Sequence, residues 1–191
     1  MMKVLFRTGF LATCFTLVLS VAQAQQTIHA VSGTVRAINP KIQMLEITTD
    51  DSSSGHFQWV KKSDGAIQFD KTVSADAIPA DKFTAKGNHV IVYYFGDDTV
   101  RTVVAVRDLG DGSVAKETGT VVKLNRKERL LTIKNSSGTE ESFHLDPKTV
   151  ADTATGVMQG VKSDLNKGDQ VRITAVQADG SATALLIVPA V

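Results

Sequence analysis

The sequence predicts an all-β protein made of two tandem copies of a small five-stranded barrel of the OB type. Three observations support this: an internal repeat, an alternation of apolar and polar residues with a period of two, and turn signals between the alternating segments. Each copy reads as three strands, a crossover and two more strands, which is the order of the OB barrel. An SH3-like barrel and a double-sheet sandwich spanning both copies are the alternative folds.

The repeat is clearest at two Gly-Thr-Val triplets, which begin at Gly33 and Gly119. Matching residues occur in three blocks that keep the same order: 33–49 with 119–135, 70–76 with 146–152, and 87–90 with 168–171. The offset between the copies changes from block to block, so each copy carries an insertion that the other lacks. The insertion in copy one lies around residues 50–65, and insertions of this kind belong in surface connections.

The strands follow from the alternating segments and the turns between them. Copy two has predicted strands at 118–124, 129–135, 140–145, 170–177 and 182–188. Copy one has them at 31–38, at 43–49, in a third segment reaching Phe69, and at 88–95 and 99–107. A short helix or an irregular crossover is expected before the fourth strand of each copy. The resulting domains are 25–108 and 117–191, joined by a linker at 109–116.

Residues 1–24 have the features of a cleavable signal peptide. Lys3 and Arg7 form a basic start, the chain is mostly apolar from 9 to 21, and Ala22-Gln23-Ala24 supplies the small residues that signal peptidase requires. We expect cleavage after Ala24 and a periplasmic or secreted mature protein. The apolar run is too short and too interrupted for a permanent membrane span, so no stable membrane insertion is expected after cleavage.

Cleavage would also remove the single cysteine, Cys14, and two of the 21 basic residues. The mature chain would then carry 19 basic and 20 acidic residues. This balance argues against nucleic-acid binding, which depends on a basic surface. The loss of Cys14 excludes disulfides and thiolate chemistry in the mature protein, and the sequence indicates no cofactor.

No catalytic motif is present, and we expect the protein not to be an enzyme. Paired acids such as Asp50-Asp51 fall at turns, where charge suits solvent. The four histidines lie on separate segments without metal-ligand spacing. Met44 and His56, with Trp59 nearby, form the one grouping that suits a soft ion such as Cu(I).

The two copies differ most in their aromatic residues, because seven of the eight that follow the signal lie in copy one. Alignment of the fourth strands assigns two alternating sets of residues. Those predicted to face the core are Val90, Val92 and Tyr94 in copy one and Val171, Ile173 and Ala175 in copy two. The opposite face carries Ile91, Tyr93 and Phe95 in copy one and Arg172, Thr174 and Val176 in copy two.

Copy one is therefore apolar on both faces of its fourth strand, and something must cover the second face. In a structural interpretation, the segment with Phe57 and Trp59 folds over this face, or copy two packs against it. In a functional interpretation, Phe57, Trp59, Ile91, Tyr93 and Phe95 form a surface for a ligand or partner.

The Gly-Thr-Val triplets, the Lys-Gly-Asp-Gln-Val segment at 167–171 and the Asp179-Gly180 turn form a pattern that resembles an uncharacterised family of bacterial exported OB-like domains. The pattern is more distantly similar to the periplasmic copper-chaperone OB domain. The first resemblance implies a fold without a known activity. The second implies copper bound by a His, a Trp and two Met on neighbouring strands, of which copy one offers Met44, His56 and Trp59 but no close Met pair.

We therefore expect an exported, non-enzymatic binding or adaptor protein with its recognition surface on copy one. Its partner would be an envelope protein or a small ligand. The alternative is a periplasmic copper-binding protein.

Overall fold

The structure, a computed structural model, describes residues 26–59, 76–97, 100–178 and 180–190. Copy one forms β1 (His29–Asn39), β2 (Met44–Thr49), β3 (Ser54–Gln58), β4 (Ala77–Pro79), β5 (His89–Gly96) and β6 (Arg101–Gly110). Copy two forms β7 (Ala115–Asn125), β8 (Leu130–Asn135), β9 (Glu140–Thr153), β10 (Gly156–Gln159), β11 (Gln170–Ala178) and β12 (Ser181–Pro189). The expected signal segment 1–24 lies outside the described residues.

Each copy closes into a five-stranded barrel, so the predicted all-β fold of two tandem barrels is confirmed. The first barrel contains β1, β2, β3, β6 and β5, and it closes where Gln58 of β3 pairs with Thr102 of β6. The second contains β7, β8, β9, β12 and β11, and it closes through β8–β9 and β9–β12 pairing. The short strands β4 and β10 extend the sheets beyond the barrels.

The glycine of each Gly-Thr-Val triplet lies where two strands approach closely. A Cβ at Gly33 would lie 2.3 Å from the carbonyl oxygen of Thr48, and one at Gly119 would lie 2.6 Å from that of Lys134. The pairing register is then interrupted at the same place in both copies, after Val35 and after Val121. The repeated triplet therefore marks a β-bulge that needs a residue without a side chain at its start.

Each barrel has its own apolar interior, built from alternate residues of its strands. β5 and β11 correspond to the predicted fourth strands of the two copies. Their residues that were predicted to face the core do so in both copies. The first interior holds Val35, Leu45, Ile47, Phe57, Trp59, Val90, Val92, Val103 and Val106. The second holds Val121, Leu131, Ile133, Phe143, Leu145, Val171, Ile173, Ala175 and Ile187.

A short helix or a crossover is expected before the predicted fourth strands, β5 and β11, and in the described residues a 3-10 turn lies there in each copy, at Ala80–Lys82 and Gly160–Lys162. Other boundaries differ from the prediction. The third strand of copy two, β9, continues past 145 to Thr153, because its second half also pairs with β12. The chain then turns back into β10, which pairs with β9. The connection between copies is shorter than the predicted linker, since β6 ends at Gly110 and β7 begins at Ala115.

The third strand of copy one, predicted to reach Phe69, is described only as far as Gln58. Residues 60–65 of the predicted insertion and the rest of that third-strand segment lie outside the described residues.

A third apolar cluster lies between the two barrels. Copy one contributes Ile28, Ala30, Ile91, Tyr93 and Ala105, and copy two contributes Val150, Leu185 and Leu186. Partly buried residues of both copies surround it, including Phe95, Leu109, Val157, Val176 and Val188. The outer surfaces of the two barrels are therefore packed against each other. No helix in the described ranges is long and apolar enough to cross a membrane.

Candidate binding surfaces

The outer face of β5, with Ile91, Tyr93 and Phe95, is the apolar face that the sequence predicts must be covered. Copy two covers it. Ile91 and Tyr93 are both 0% exposed and belong to the cluster between the barrels, with Phe95 packed at its edge. Burial raises the pKa of the Tyr93 hydroxyl to about 12, although a hydrogen bond with Arg107 acts in the opposite direction. The structural interpretation, in which copy two packs against this face, matches the geometry.

Phe57 and Trp59 lie on the other side of the barrel wall. Both side chains point into the interior of barrel one, where Phe57 is 0% and Trp59 is 7% exposed. The ring of Phe57 meets that of Tyr94 edge-on, at 5.2 Å between centroids.

The sequence-based expectation of one surface built from all five residues therefore needs correction. Phe57 and Trp59 face the interior of barrel one, whereas Ile91, Tyr93 and Phe95 face barrel two. Alternation along β3 and β5 identified the two faces of each strand, but it does not tell which face of one strand meets which face of another.

A buried polar cluster lies beside the apolar interface and is centred on Asp50, whose side chain is 3% exposed. Its Oδ2 accepts hydrogen bonds from Ser32 Oγ at 2.5 Å and from Thr174 Oγ1 of copy two at 2.7 Å. Its Oδ1 lies 2.9 Å from Lys116 Nζ of copy two and 3.2 Å from His89 Nε2. Both copies thus supply partners to one carboxylate.

These partners decide the charge state of Asp50. Burial alone would raise its pKa, but the contacts with His89, Ser32, Thr174 and Lys116 outweigh burial and hold the pKa well below its usual range. Asp50 is therefore an anion in the folded protein, and it forms a charged contact between the barrels.

A second acid-base contact crosses the interface at the start of β1. Asp152 of copy two accepts hydrogen bonds from His29 Nδ1 at 2.9 Å and from the Ala30 backbone N–H at 3.2 Å. Burial raises the pKa of Asp152, and His29 offsets part of that rise. Next to it, the Val157 N–H donates to the carbonyl of Ile28 at 2.9 Å, so the first described residues are held against β10.

Further contacts join the barrels at the periphery of the interface. Arg172 lies 3.4 Å from Asp51, Lys148 pairs with Asp76, and Arg107 donates to the Lys148 carbonyl at 2.8 Å. The Arg172–Asp51 and Lys148–Asp76 pairs are partly exposed and add little stability by themselves, whereas Arg107 is buried. Together these contacts fix the relative orientation of the two surfaces.

Ser32, Asp50 and His89 contain the residue types of a hydrolytic triad, but their geometry differs from one. Ser32 donates directly to Asp50, whereas nucleophilic catalysis requires the serine to donate to the histidine. His89 and Ser32 are also buried beside copy two. The arrangement suits a structural role between the barrels.

The outer face of the β2–β3 hairpin is the part of copy one that contains the candidate metal ligands. In the pairing register Met44 lies opposite Gln58, and Glu46 lies opposite His56. All four side chains therefore project from the same side of the hairpin, with His56 and Gln58 exposed. Trp59 is on the inner side and does not join them. In the described part of the chain, no group of three or more His, Cys, Asp or Glu side chains could hold a metal ion.

Sequence reasoning missed the role of Asp50. The pair Asp50-Asp51 was expected to be solvated at a turn, and only Asp51 is. The partners of Asp50 lie 18, 39, 66 and 124 residues away in the chain, and no local pattern joins residues at such separations. The nearest indication of this cluster in the sequence was Thr174, a polar residue at the position in copy two that corresponds to Tyr93 in copy one.

The comparisons with known proteins do not assign a family. No family profile matches the sequence, and no curated protein matches it. A crystal structure of silver(I)-bound CusF is similar over 41% of this chain and 100% of its own, with 19% sequence identity and a TM-score of 0.33. A similarity at this level assigns neither a ligand nor a residue role to this chain.

Proposed function

We propose that the protein is an exported, non-enzymatic binding or adaptor protein in which the two barrels act as one body. The observation that supports this most is the contact between them, where an apolar cluster and the Asp50 cluster are both shared by the two copies. Interfaces that bury aromatic residues and charged hydrogen bonds together hold domains in a defined arrangement. The second barrel thus has a supporting role, as its plainer sequence predicts.

The recognition surface then lies on the part of copy one that barrel two leaves free. The outer β2–β3 face meets this condition, and it is the face on which OB barrels commonly hold their ligands. It presents His56, Gln58, Met44 and Glu46, so it offers hydrogen-bonding, charged and apolar groups side by side. Its partner is an envelope protein or a small ligand, and its mixed composition does not favour nucleic acid.

Export is tested by expressing the full chain and measuring the mass of the periplasmic product. The expected product begins at Gln25, and a product that keeps residues 1–24 in the cytoplasm would contradict this part of the proposal.

Recognition is tested by placing a photo-crosslinking amino acid at His56 in cells that produce the protein. A matched control carries the same amino acid at Lys134, which is exposed on the outer face of β8 in barrel two. The expected result is a crosslinked product of defined mass from position 56 and not from position 134. Equal products from both positions, or none from position 56, would contradict the assignment to copy one.

Copper binding is the second candidate, and it is favoured by the common face of Met44, Glu46 and His56. Thioether and imidazole groups together suit Cu(I), and imidazole with carboxylate suits Zn(II). Calorimetric titration of the mature protein with each ion tests this candidate. Binding of one equivalent of Cu(I), measured as heat in the parent and absent in His56→Ala, supports copper binding. No heat, or heat that the substitution leaves unchanged, rules it out.

A further inference from the structure

Barrel two has a cleft of its own, on the side of the wall where β8 and β9 meet the β11–β12 turn. Its volume is about 460 Å³, within the range of small-molecule sites. Its lining includes Leu130, Glu141, Ser142, His144, Gln177 and Ser181. It is separate from the inter-barrel clusters, since none of these residues belongs to the cluster shared by the two copies.

Two polar side chains of this cleft have unused hydrogen-bonding capacity. His144 and Gln177 are exposed, and neither makes a side-chain hydrogen bond within the described residues. Two hydroxyls lie beside them and are oriented by neighbours: Ser142 shares a hydrogen bond of 2.9 Å with Thr132, and Ser181 donates to the Ala178 carbonyl at 3.0 Å. The orientation of Ser181 leaves its oxygen free to accept.

The chemistry of these groups selects a class of ligand. A neutral imidazole, a carboxamide and a hydroxyl can each donate and accept, and so can the hydroxyls of a sugar. A carboxylate or phosphate accepts only, and an ammonium group donates only. No Lys or Arg that could pair with an anion is among the described residues lining the cleft. Among the described residues that line it, the one carboxylate is Glu141, whose Oε1 accepts from Asn135 Nδ2 at 2.7 Å.

We infer that this cleft binds a neutral polyhydroxylated molecule, such as a monosaccharide unit, through His144 and Gln177. Leu130 lies opposite His144 in the β8–β9 register, so it supplies an apolar surface beside the hydrogen-bonding groups, against which the C–H face of a sugar ring packs. OB barrels hold oligosaccharides on strands and loops in this region, which agrees with the placement.

The inference is tested by NMR titration of the ¹⁵N-labelled mature protein with glucose and with N-acetylglucosamine, using sulfate and glycine as charged probes. The expected result is saturable shifts confined to the amides of β9 and the β11–β12 turn, with a dissociation constant in the millimolar range. His144→Ala and Gln177→Ala each weaken binding by about 10-fold. The matched control, Lys162→Ala, removes an exposed side chain of barrel two that does not line the cleft, and it leaves binding unchanged.

The inference is overturned if neither sugar gives saturable shifts below about 50 mM. It is also overturned if the His144→Ala variant, shown to be folded by its amide spectrum, binds as the parent does, or if sulfate or glycine binds more tightly than both sugars. The proposed recognition face of copy one is unaffected by any of these outcomes, because the two sites lie on different barrels.

Discussion

Tyr93 is the largest fully buried side chain in the described part of the chain, and it is buried between the two barrels rather than inside its own. Its replacement by alanine would leave a cavity between the barrels. We expect Tyr93→Ala to lower the free energy of unfolding by about 3–5 kcal/mol, the range for large buried aromatic residues. Urea denaturation of the mature protein measures this change.

The control for Tyr93→Ala is His56→Ala, which removes an exposed ring and should change the free energy of unfolding by less than about 0.5 kcal/mol. If the two variants were equally stable, the outer face of β5 would not be buried in solution.

Asp50 gives the interface a pH dependence. Its pKa is lower in the folded protein than the ordinary 3.8. The carboxylate therefore stabilises the folded state at pH values above 3.8, and this contribution is lost as the pH falls below that value. We expect Asp50→Asn to lower the stability by about 2 kcal/mol at neutral pH, less than for a fully buried pair because Lys116 is partly exposed.

Denaturation at neutral pH and at about pH 3 measures the effect, and the gap between Asp50→Asn and the parent should narrow at the lower pH. Asp81→Asn serves as the control, because Asp81 is an exposed carboxylate whose one ion pair within the described residues is with its neighbour Lys82. A gap that stays constant with pH would show that Asp50 is not a charged partner of His89 and Lys116.

Among the elements, the bulged strand pairs β1–β2 and β7–β8 explain why the Gly-Thr-Val triplet occurs in both copies. A side chain at Gly119 would meet the carbonyl of Lys134 across the β7–β8 pair. We expect Gly119→Ala to lower the free energy of unfolding by about 1–3 kcal/mol, as overpacking does.

Gly112→Ala is the matched control for Gly119→Ala, since a Cβ at Gly112 would meet nothing within 4 Å. Thermal unfolding of both variants compares them. A Gly119→Ala variant as stable as Gly112→Ala would mean that the strands are not this close.

The elements also show how far the sequence alone can lead. Alternation within β5 and β11 identified both the core face and the outer face correctly, because these depend on residues two apart. The long β9 was not predicted, since Asp146-Pro147 reads as a break in the strand. It continues because its second half pairs in parallel with the distant β12, which local patterns do not reveal.

For the whole molecule, the duplication accounts for the fold and the difference between copies accounts for the interface. The excess of apolar residues on the outer face of copy one indicated that a cover was needed, but not which one. From the sequence alone, this face could be a ligand groove or a domain interface, because the two differ only in whether a distant part of the chain packs against it. The structure places copy two there, which directs the search for ligands to the outer β2–β3 face and to the barrel-two cleft.

Burial of the β5 outer face by the second barrel is best tested by thiol labelling, because the expected mature chain has no cysteine of its own. Ile91→Cys places a thiol in the interface, and His56→Cys places one on the exposed face of the same barrel. In the folded protein we expect labelling at position 91 to be at least about 100-fold slower than at position 56, and equal to it in denaturant. Equal rates in the folded protein would contradict the packing of the two barrels.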